Sequence, residues 1–423
     1  MIDTGPVDLS LTQKQRHQHG VARSVRTRTE QQRQQDLAKI DSYRDLENQV
    51  RAKVAASAYD DPELLRLTTK LLRLNPEYYT IWNVRRRCLI SGLLSKPSAG
   101  SWPSKASPSS SPSASTNPPS EPCLPSSSAA TQPSPGSPTT GKSGTTADGS
   151  EPHESDANIL QSELTFTIPL LLKFPKCYWI WNFRRWVLAQ VILRLPVPAA
   201  RRVWETELGL ASKMLTKDRR NFHAWGYRRY VIANLESPAL HGKSMAEDEF
   251  AYTKRKIDEN LSNFSAWHNR SQLILRVLEE RGASDEARRK LLDEELERIR
   301  EALNVGPEDQ SLWYYHRFLM SQIADHQDST SIAPALTLQE RSDHLRREID
   351  EIKDLLEDYR DVKWIYEALL EYSLALGRLE QGKAHDAEGD ARTWLEKVRS
   401  LDPMRRGRWE DIEGQLLSQG VTA

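Results

Sequence analysis

Apolar residues along this chain recur at intervals of three and four, the period of a buried helical face, and no stretch alternates as a half-buried strand does. Leu37, Ile40, Tyr43, Leu46 and Val50 predict an amphipathic helix over 36–54. Asp60-Asp61-Pro62 has the form of a helix start, and Leu64, Leu65, Leu67, Leu71 and Leu72 follow it as the face toward a partner helix. Similar stripes predict helices over 159–174, 199–217, 245–261, 285–303, 341–359 and 387–401. The Glu and Arg runs within 285–303 form the solvated face of that helix.

From the Asp61 stripe onward, each is followed by a phrase built around tryptophan. Its clearest copy is Asn221-Phe222-His223-Ala224-Trp225-Gly226-Tyr227-Arg228-Arg229, with relatives around Trp82, Trp181, Trp267 and Trp313 and weaker echoes at Trp364 and Trp409. From Trp181 the anchors are 44, 42, 46, 51 and 45 residues apart, the length of a two-helix repeat. With Trp as position zero, Asn221, Asn263 and Asp309 at minus four are good N-caps. Pro76, Pro175, Pro307 and Pro403 at minus six separate the two helices of a pair. Plus three is Arg85, Arg184, Arg228, Arg270 and then His316; plus seven is Leu89, Leu188, Ile232, Ile274 and Met320. These positions share one helical face, so a cation is predicted to be buried between Trp and an aliphatic side chain. Such an Arg needs a carboxylate or free carbonyls as partners. At the Trp364 echo, plus three is Glu367. The fold predicted is all-α: an α-solenoid of about seven antiparallel helix hairpins, tetratricopeptide-like.

Composition divides the chain. Residues 95–156 are Ser, Pro, Thr and Gly with little apolar content, which predicts a disordered insertion and accounts for the 99 residues between Trp82 and Trp181. It separates a first solenoid part, 37–94, from the remainder, 157–415; a flexible tail over 1–36 and a short one over 416–423 flank them. The pairs Ser107-Pro108 and Ser134-Pro135 leave a phosphorylated segment or a neutral spacer open. Lys plus Arg and Asp plus Glu both number 59, so no whole-chain field draws the protein to nucleic acid. Cys88, Cys123 and Cys177 make neither a disulfide framework nor a CxxC, which suits a reducing compartment. The longest apolar run, 166–174, carries Pro169 and Lys173 and is too short to span a bilayer. With no secretory leader in view, a soluble cytoplasmic protein without a membrane span is expected.

Catalytic signatures are missing from the sequence: no phosphate-binding glycine loop, no HExxH, no spaced Cys/His set and no GxSxG. One constellation points further. Lys176 and Tyr178 stand at minus five and minus three of one copy, Arg220 and Phe222 at the same places in the next. Equivalent helix N-termini line up along a solenoid rim, and free N–H groups with those cations suit a phosphate or diphosphate. A solvated lysine beside a packed tyrosine is the plainer alternative.

This array of Asn-x-x-x-Trp-x-x-Arg-Arg units resembles the α subunits of protein prenyltransferases, and among them the Rab geranylgeranyltransferase (type II) branch. The likeness rests on Lys176-Cys177-Tyr178 through Arg185, Arg220 through Arg229, Asn263 through His268, and Asp309 through Arg317. A start at His19-Gly20-Val21 followed by Arg26-Thr27-Arg28-Thr29-Glu30 adds to it, and together these cover 19–94 and 159–415. The resemblance implies a crescent around a catalytic β subunit, in a heterodimer that moves geranylgeranyl from geranylgeranyl diphosphate to C-terminal cysteines of Rab GTPases presented by an escort protein. It implies zinc and most catalytic residues on the β subunit, and no cofactor or metal on this chain. Lys176 and Tyr178 match the family's Lys-x-Tyr offered to the diphosphate; Arg220 and Phe222 are second choices, since Phe lacks the hydroxyl. Trp82, Trp181, Trp225, Trp267 and Trp313, with Arg85, Arg184, Arg228 and Arg270, are structural anchors.

Two departures stand out: eighteen residues precede His19, through an extension or an upstream start, and the insertion is not a family feature. The α subunit shared by farnesyltransferase and type I geranylgeranyltransferase, and a non-enzymatic helical scaffold, are the alternatives. The fifth copy, at 309–319, and the His19-Gly20 start favour type II.

Overall fold

The computed structural model describes residues 29–96, 150–325, 331–380 and 388–418. The tail before Thr29, the His19-Gly20 start, the body of the Ser/Pro-rich insertion with both Ser-Pro pairs, and the last five residues lie outside them. Among the described residues all regular structure is helical, with fifteen α-helices. After α1 they form seven hairpins, so the repeat architecture expected of an α-solenoid is present. By compactness the chain divides at Lys96.

The first unit holds α1 (Glu30–Ala55), α2 (Pro62–Leu74), α3 (Tyr79–Cys88) and a π-helical turn, Leu89–Leu93. Helix α1 begins six residues before the predicted 36 because Thr29 and Gln32 make a reciprocal capping box. Its apolar stripe does not all reach the core: Val50 is buried, whereas Leu37 and Ile40 are exposed. Steps of three residues rotate the stripe, and nine residues place Leu37 about 180° from Leu46. Asp61 caps α2 by accepting from the Glu63 amide at 2.8 Å, with Pro62 at the first helical position.

The second unit holds the hairpins α4 (Ser150–Lys173) with α5 (Tyr178–Arg194), α6 (Val197–Lys217) with α7 (Phe222–Leu235), and α8 (Ala246–Glu259) with α9 (Phe264–Glu280). Then come α10 (Asp285–Val305) with α11 (Gln310–Ala324), α12 (Leu338–Asp358) with α13 (Lys363–Leu379), and α14 (Glu388–Leu401) with α15 (Arg406–Ser418). Helix α4 starts inside the stretch assigned to the insertion, and Asp156 is buried. The helix runs past the apolar pattern, which begins only at Ile159, so periodicity could not mark its start. Gly282 closes α9 at φ +56°, its amide and that of Ala283 bonding Glu279 and Leu278 carbonyls at 3.0 Å.

The tryptophan phrase has two buried functions. Its indole N–H reaches back six residues to the turn before the helix: Trp82 to Pro76 O (2.8 Å), Trp181 to Pro175 O (2.9 Å), Trp225 to Arg219 O (2.9 Å), Trp267 to Leu261 O (2.7 Å) and Trp313 to Pro307 O (2.6 Å). Each indole therefore fixes the angle at which its helix leaves the turn. In the sixth hairpin the anchor is not Trp364, which is half-buried, but Tyr366, whose hydroxyl donates to Arg360 O at 2.7 Å. Val362 then falls at the N-cap and Leu369 at plus three, so Glu367 is not the counterpart of the arginines.

The arginine at plus three joins three helices. Arg184 of α5 donates Nη1–H to Leu164 O of α4 at 2.6 Å and to Thr167 Oγ1, and Nε–H to Glu207 of α6 at 3.0 Å. Arg228 repeats this with Ser212 (2.8 Å) and Glu249 (2.8 Å), and Arg270 with Phe250 O (3.1 Å) and Glu295 (2.7 and 2.6 Å). These bidentate pairs are buried, and two of the three carboxylates accept a further bond: the hydroxyls of Tyr227 and Tyr315 donate to Glu207 and Glu295. Burial pushes the Arg270 guanidinium down, but Glu295 beside it holds it above its ordinary value. In the first unit Arg85 bonds Leu65 O (3.3 Å), Thr68 (3.0 Å) and Thr69 (2.8 Å) of α2. His316 takes the position in α11, paired with Glu348 at 2.9 Å and Tyr372 at 2.7 Å. The acceptors Glu207, Glu249, Glu295 and Glu348 all stand eighteen residues before an anchor: Trp225, Trp267, Trp313 and Tyr366. After Leu369 the corresponding residue is Ala391; both are buried.

Candidate functional site

At the end of the second unit where α5 and α7 begin, the repeat leaves side chains in solvent instead of burying them. Residues at minus five lie in the turn before the second helix and residues at minus three open it; Lys176, Tyr178, Arg220 and Phe222 at these places are all exposed. Lys176 follows Pro175 in the α4–α5 turn, its side chain 73% exposed and Nζ 3.7 Å from Asp218 Oδ2. Tyr178, 53% exposed, is the first residue of α5. The N-cap of α5 is Cys177, which makes no side-chain cap bond, whereas α7, α9 and α11 are capped by Asn221, Asn263 and Asp309 as the sequence implies. The α5 terminus thus lacks the built-in oxygen that its neighbours carry, and its dipole favours an anion from outside.

Arg220 is exposed in the α6–α7 turn and Phe222, 68% exposed, opens α7. His223 brings the two pairs together. Its ring lies 3.9 Å from that of Phe222 and 6.2 Å from that of Tyr178, centroid to centroid. Tyr178 and Phe222 therefore flank His223 from two hairpins, and Lys176 and the Arg220 amide both meet Asp218. Sequence reading missed both. His223 was visible as the one ionisable side chain at minus two, where other copies carry Thr80, Trp179, Ser265 and Ser311.

The exposed aromatic row continues beyond this corner. Phe264 opens α9, stacks on His268 and meets Tyr314 edge-on, each at 6.0 Å. Phe264, Trp267, His268, Tyr314, Tyr315 and Phe318 contribute to the wall of a cavity of about 360 Å³. A second cavity of about 470 Å³ involves α11, α12, α13 and α15, away from Lys176, and there Arg317 and Arg408 share Glu371. Among the described residues no three His, Cys, Asp or Glu side chains stand where they could hold a metal ion, and no helix is long and apolar enough to cross a membrane. What the corner offers chemically is positive charge, an uncapped helix start and a phenol. That set suits binding and stabilising an anion.

Comparison with known proteins agrees with the repeat. Residues 61–91, 160–191, 204–235, 246–277 and 292–323 match the protein prenyltransferase alpha subunit repeat, each spanning the greater part of one hairpin. The chain is similar to the geranylgeranyl transferase type-2 subunit alpha of Schizosaccharomyces pombe, at 30% identity over 407 residues, 94% of this chain and 98% of that protein. The protein of the same name from Saccharomyces cerevisiae is 30% identical over 304 residues, 71% of this chain and 72% of that protein. That of Homo sapiens is 30% identical over 271 residues, 64% of this chain but 35% of the human protein.

Proposed function

Because this chain belongs to the family of geranylgeranyl transferase type-2 α subunits, built from protein prenyltransferase α repeats, we propose that it forms a heterodimer with a prenyltransferase β subunit and serves Rab geranylgeranylation. The lipid donor is geranylgeranyl diphosphate, and the acceptors are C-terminal cysteines of Rab GTPases presented by an escort protein. Transfer breaks the bond between the lipid's first carbon and the diphosphate oxygen while a cysteine sulfur attacks that carbon. Negative charge grows on the leaving diphosphate, and a cation placed there lowers the barrier because it acts more strongly in the transition state than in the ground state. Lys176 fills that role, and Tyr178, 53% exposed at the start of the same helix, positions the diphosphate through its hydroxyl. Arg220 and Phe222 border the site, with Arg220 able to contribute charge. Zinc, supplied by the partner, would activate the cysteine sulfur.

One observation carries this reading: Lys176 and Tyr178, with His223 and Asp218 of the next hairpin beside them, stand at a helix start that lacks a side-chain cap. The exposed row of Tyr178, Phe222, Phe264 and Tyr314 supports a partner surface alongside it, since aromatic side chains are the commonest anchors of an interface. The deciding experiment expresses this chain with its β subunit and compares a full-length Rab, with and without escort protein, against a short CaaX peptide. Transfer to Rab that depends on the escort is expected. Turnover of the peptide alone would assign the chain to the farnesyltransferase and type I group, and a chain that stays monodisperse and unpartnered would make it a scaffold.

A further inference from the structure

The two candidate pairs sit on different hairpins, and their turns are laced together. Asn221, the N-cap of α7, gives its side-chain N–H to Pro175 O at 3.1 Å, the same carbonyl that accepts the Trp181 indole. Asp218, which ends α6, sets one carboxylate oxygen 3.7 Å from Lys176 Nζ while the other accepts from the Arg220 amide at 3.3 Å. The main chain of Asp218 is fixed on both sides, its N–H bonding Met214 O at 3.0 Å and its carbonyl the Asn221 amide at 3.1 Å. The carboxylate is held by its own turn, and the long lysine side chain is the mobile partner.

Other hairpins provide an internal control. Position minus seven, where Asp218 stands, is Asn75 before Trp82 and Asn260 before Trp267. Their side-chain oxygens accept from Glu77 and Ser262 amides, each at 3.1 Å, in the same way. A neutral amide thus makes this turn, and the charge at 218 has another use. Where minus seven is acidic again, at Asp402, it meets a lysine of the preceding hairpin, Lys363, at 2.8 Å, together with Arg405 at 2.7 Å.

We propose that Asp218 is a positioning residue for Lys176, holding its ammonium beside the α5 start so that the charge is in place as the diphosphate departs. This rests on the reading of Lys176 given above. A lysine left free on its four-carbon stem must be ordered during the reaction itself, which appears in kcat and not in KM.

The test uses the α/β heterodimer with geranylgeranyl diphosphate and an escort-presented Rab. Asp218→Asn keeps an oxygen for the Arg220 amide and installs the residue that the same turn already carries at 75 and 260. Its kcat should fall about threefold, the scale of an exposed ion pair, with the KM for geranylgeranyl diphosphate unchanged. In a Lys176→Ala background the same substitution should do nothing more. A wild-type rate, a faster rate from a carboxylate that competes with the diphosphate, or an equal loss in both backgrounds would each overturn the assignment. A silent Lys176→Ala removes the reading of Lys176 together with that of Asp218. An impaired Lys176→Ala beside an unaffected Asp218→Asn removes only the latter.

Discussion

The joints between hairpins and the rim at their helix starts are written by the same repeat, yet they treat charge in opposite ways. At the joints Arg184, Arg228 and Arg270 are buried, each carboxylate partner is bidentate, and neighbouring hydroxyls and carbonyls take up other bonds. At the rim Lys176 is exposed, and its partner stands at 3.7 Å. A buried charge is tolerated only with its partners complete, so the joint admits few residues. An exposed cation costs little and remains available to a ligand. Stability and activity can therefore be changed separately in one short phrase of sequence.

Breaking a joint should have the largest effect. Glu207→Ala leaves Arg184 buried without its carboxylate and should cost about 3–5 kcal/mol, read as a lower urea midpoint. A loss below about 1 kcal/mol would mean that water reaches the joint and that the contrast with the rim is false. The Arg270–Glu295 joint should also add to acid lability. Burial raises the Glu295 carboxyl, but Arg270, Arg298 and Tyr315 outweigh it and hold it below the ordinary 4.5. A depressed carboxyl stabilises the fold above its unfolded value, and that contribution is lost as pH falls from about 4.5 through the lower folded value. Urea midpoints measured across this range should fall less steeply with pH in Glu295→Gln than in the native chain, the remaining slope belonging to other depressed carboxyls such as Asp402 and Glu413.

Lys176→Ala should separate the two regions most clearly. Turnover in the heterodimer should fall by about tenfold or more, roughly 1.4 kcal/mol or above, while the urea midpoint and subunit association stay as they were. A drop in stability instead would place Lys176 with the joints. The smallest effect on turnover belongs to Trp225→Phe, which keeps a six-membered ring but loses the pyrrole and its bond to Arg219 O and leaves a cavity at a buried site, costing about 1–3 kcal/mol of stability. Because Arg219 precedes the rim residue Arg220, a modest loss of turnover should accompany it; unchanged kinetics would show that the rim does not depend on the indole pin.

Much of this was legible in the residues. The caps at Asn221, Asn263 and Asp309, the buried face of Trp and Arg, and the limits of the first helices from α6 on came from local chemistry that each copy repeats, whereas the starts of α1 and α4 did not. The acceptors did not, although Glu207, Glu249, Glu295 and Glu348 keep a fixed distance before their anchors. They lie in helices read for apolar stripes, where a buried Glu looks like one more solvated charge. Trp364 misled because tryptophan identity was given more weight than the cap-to-anchor step, and that step selects Tyr366. At the rim, Lys176 and Tyr178 stood out by residue type, while Asp218 and His223 acquire meaning only when two turns far apart in sequence come together.

Cation at plus three and acceptor at minus eighteen, each fixed relative to its own anchor, also govern how the array could change length. Excising 186–229, one whole period, would leave Arg184 facing Glu249, the same coupling it had with Glu207. Internal hairpins are in this sense interchangeable sections cut with one thread. The last hairpin carries Ala391 at minus eighteen, behind Leu369 at plus three of the one before, so it fits only in its own place: moved inward, it would set an alanine against an arginine that still seeks a carboxylate.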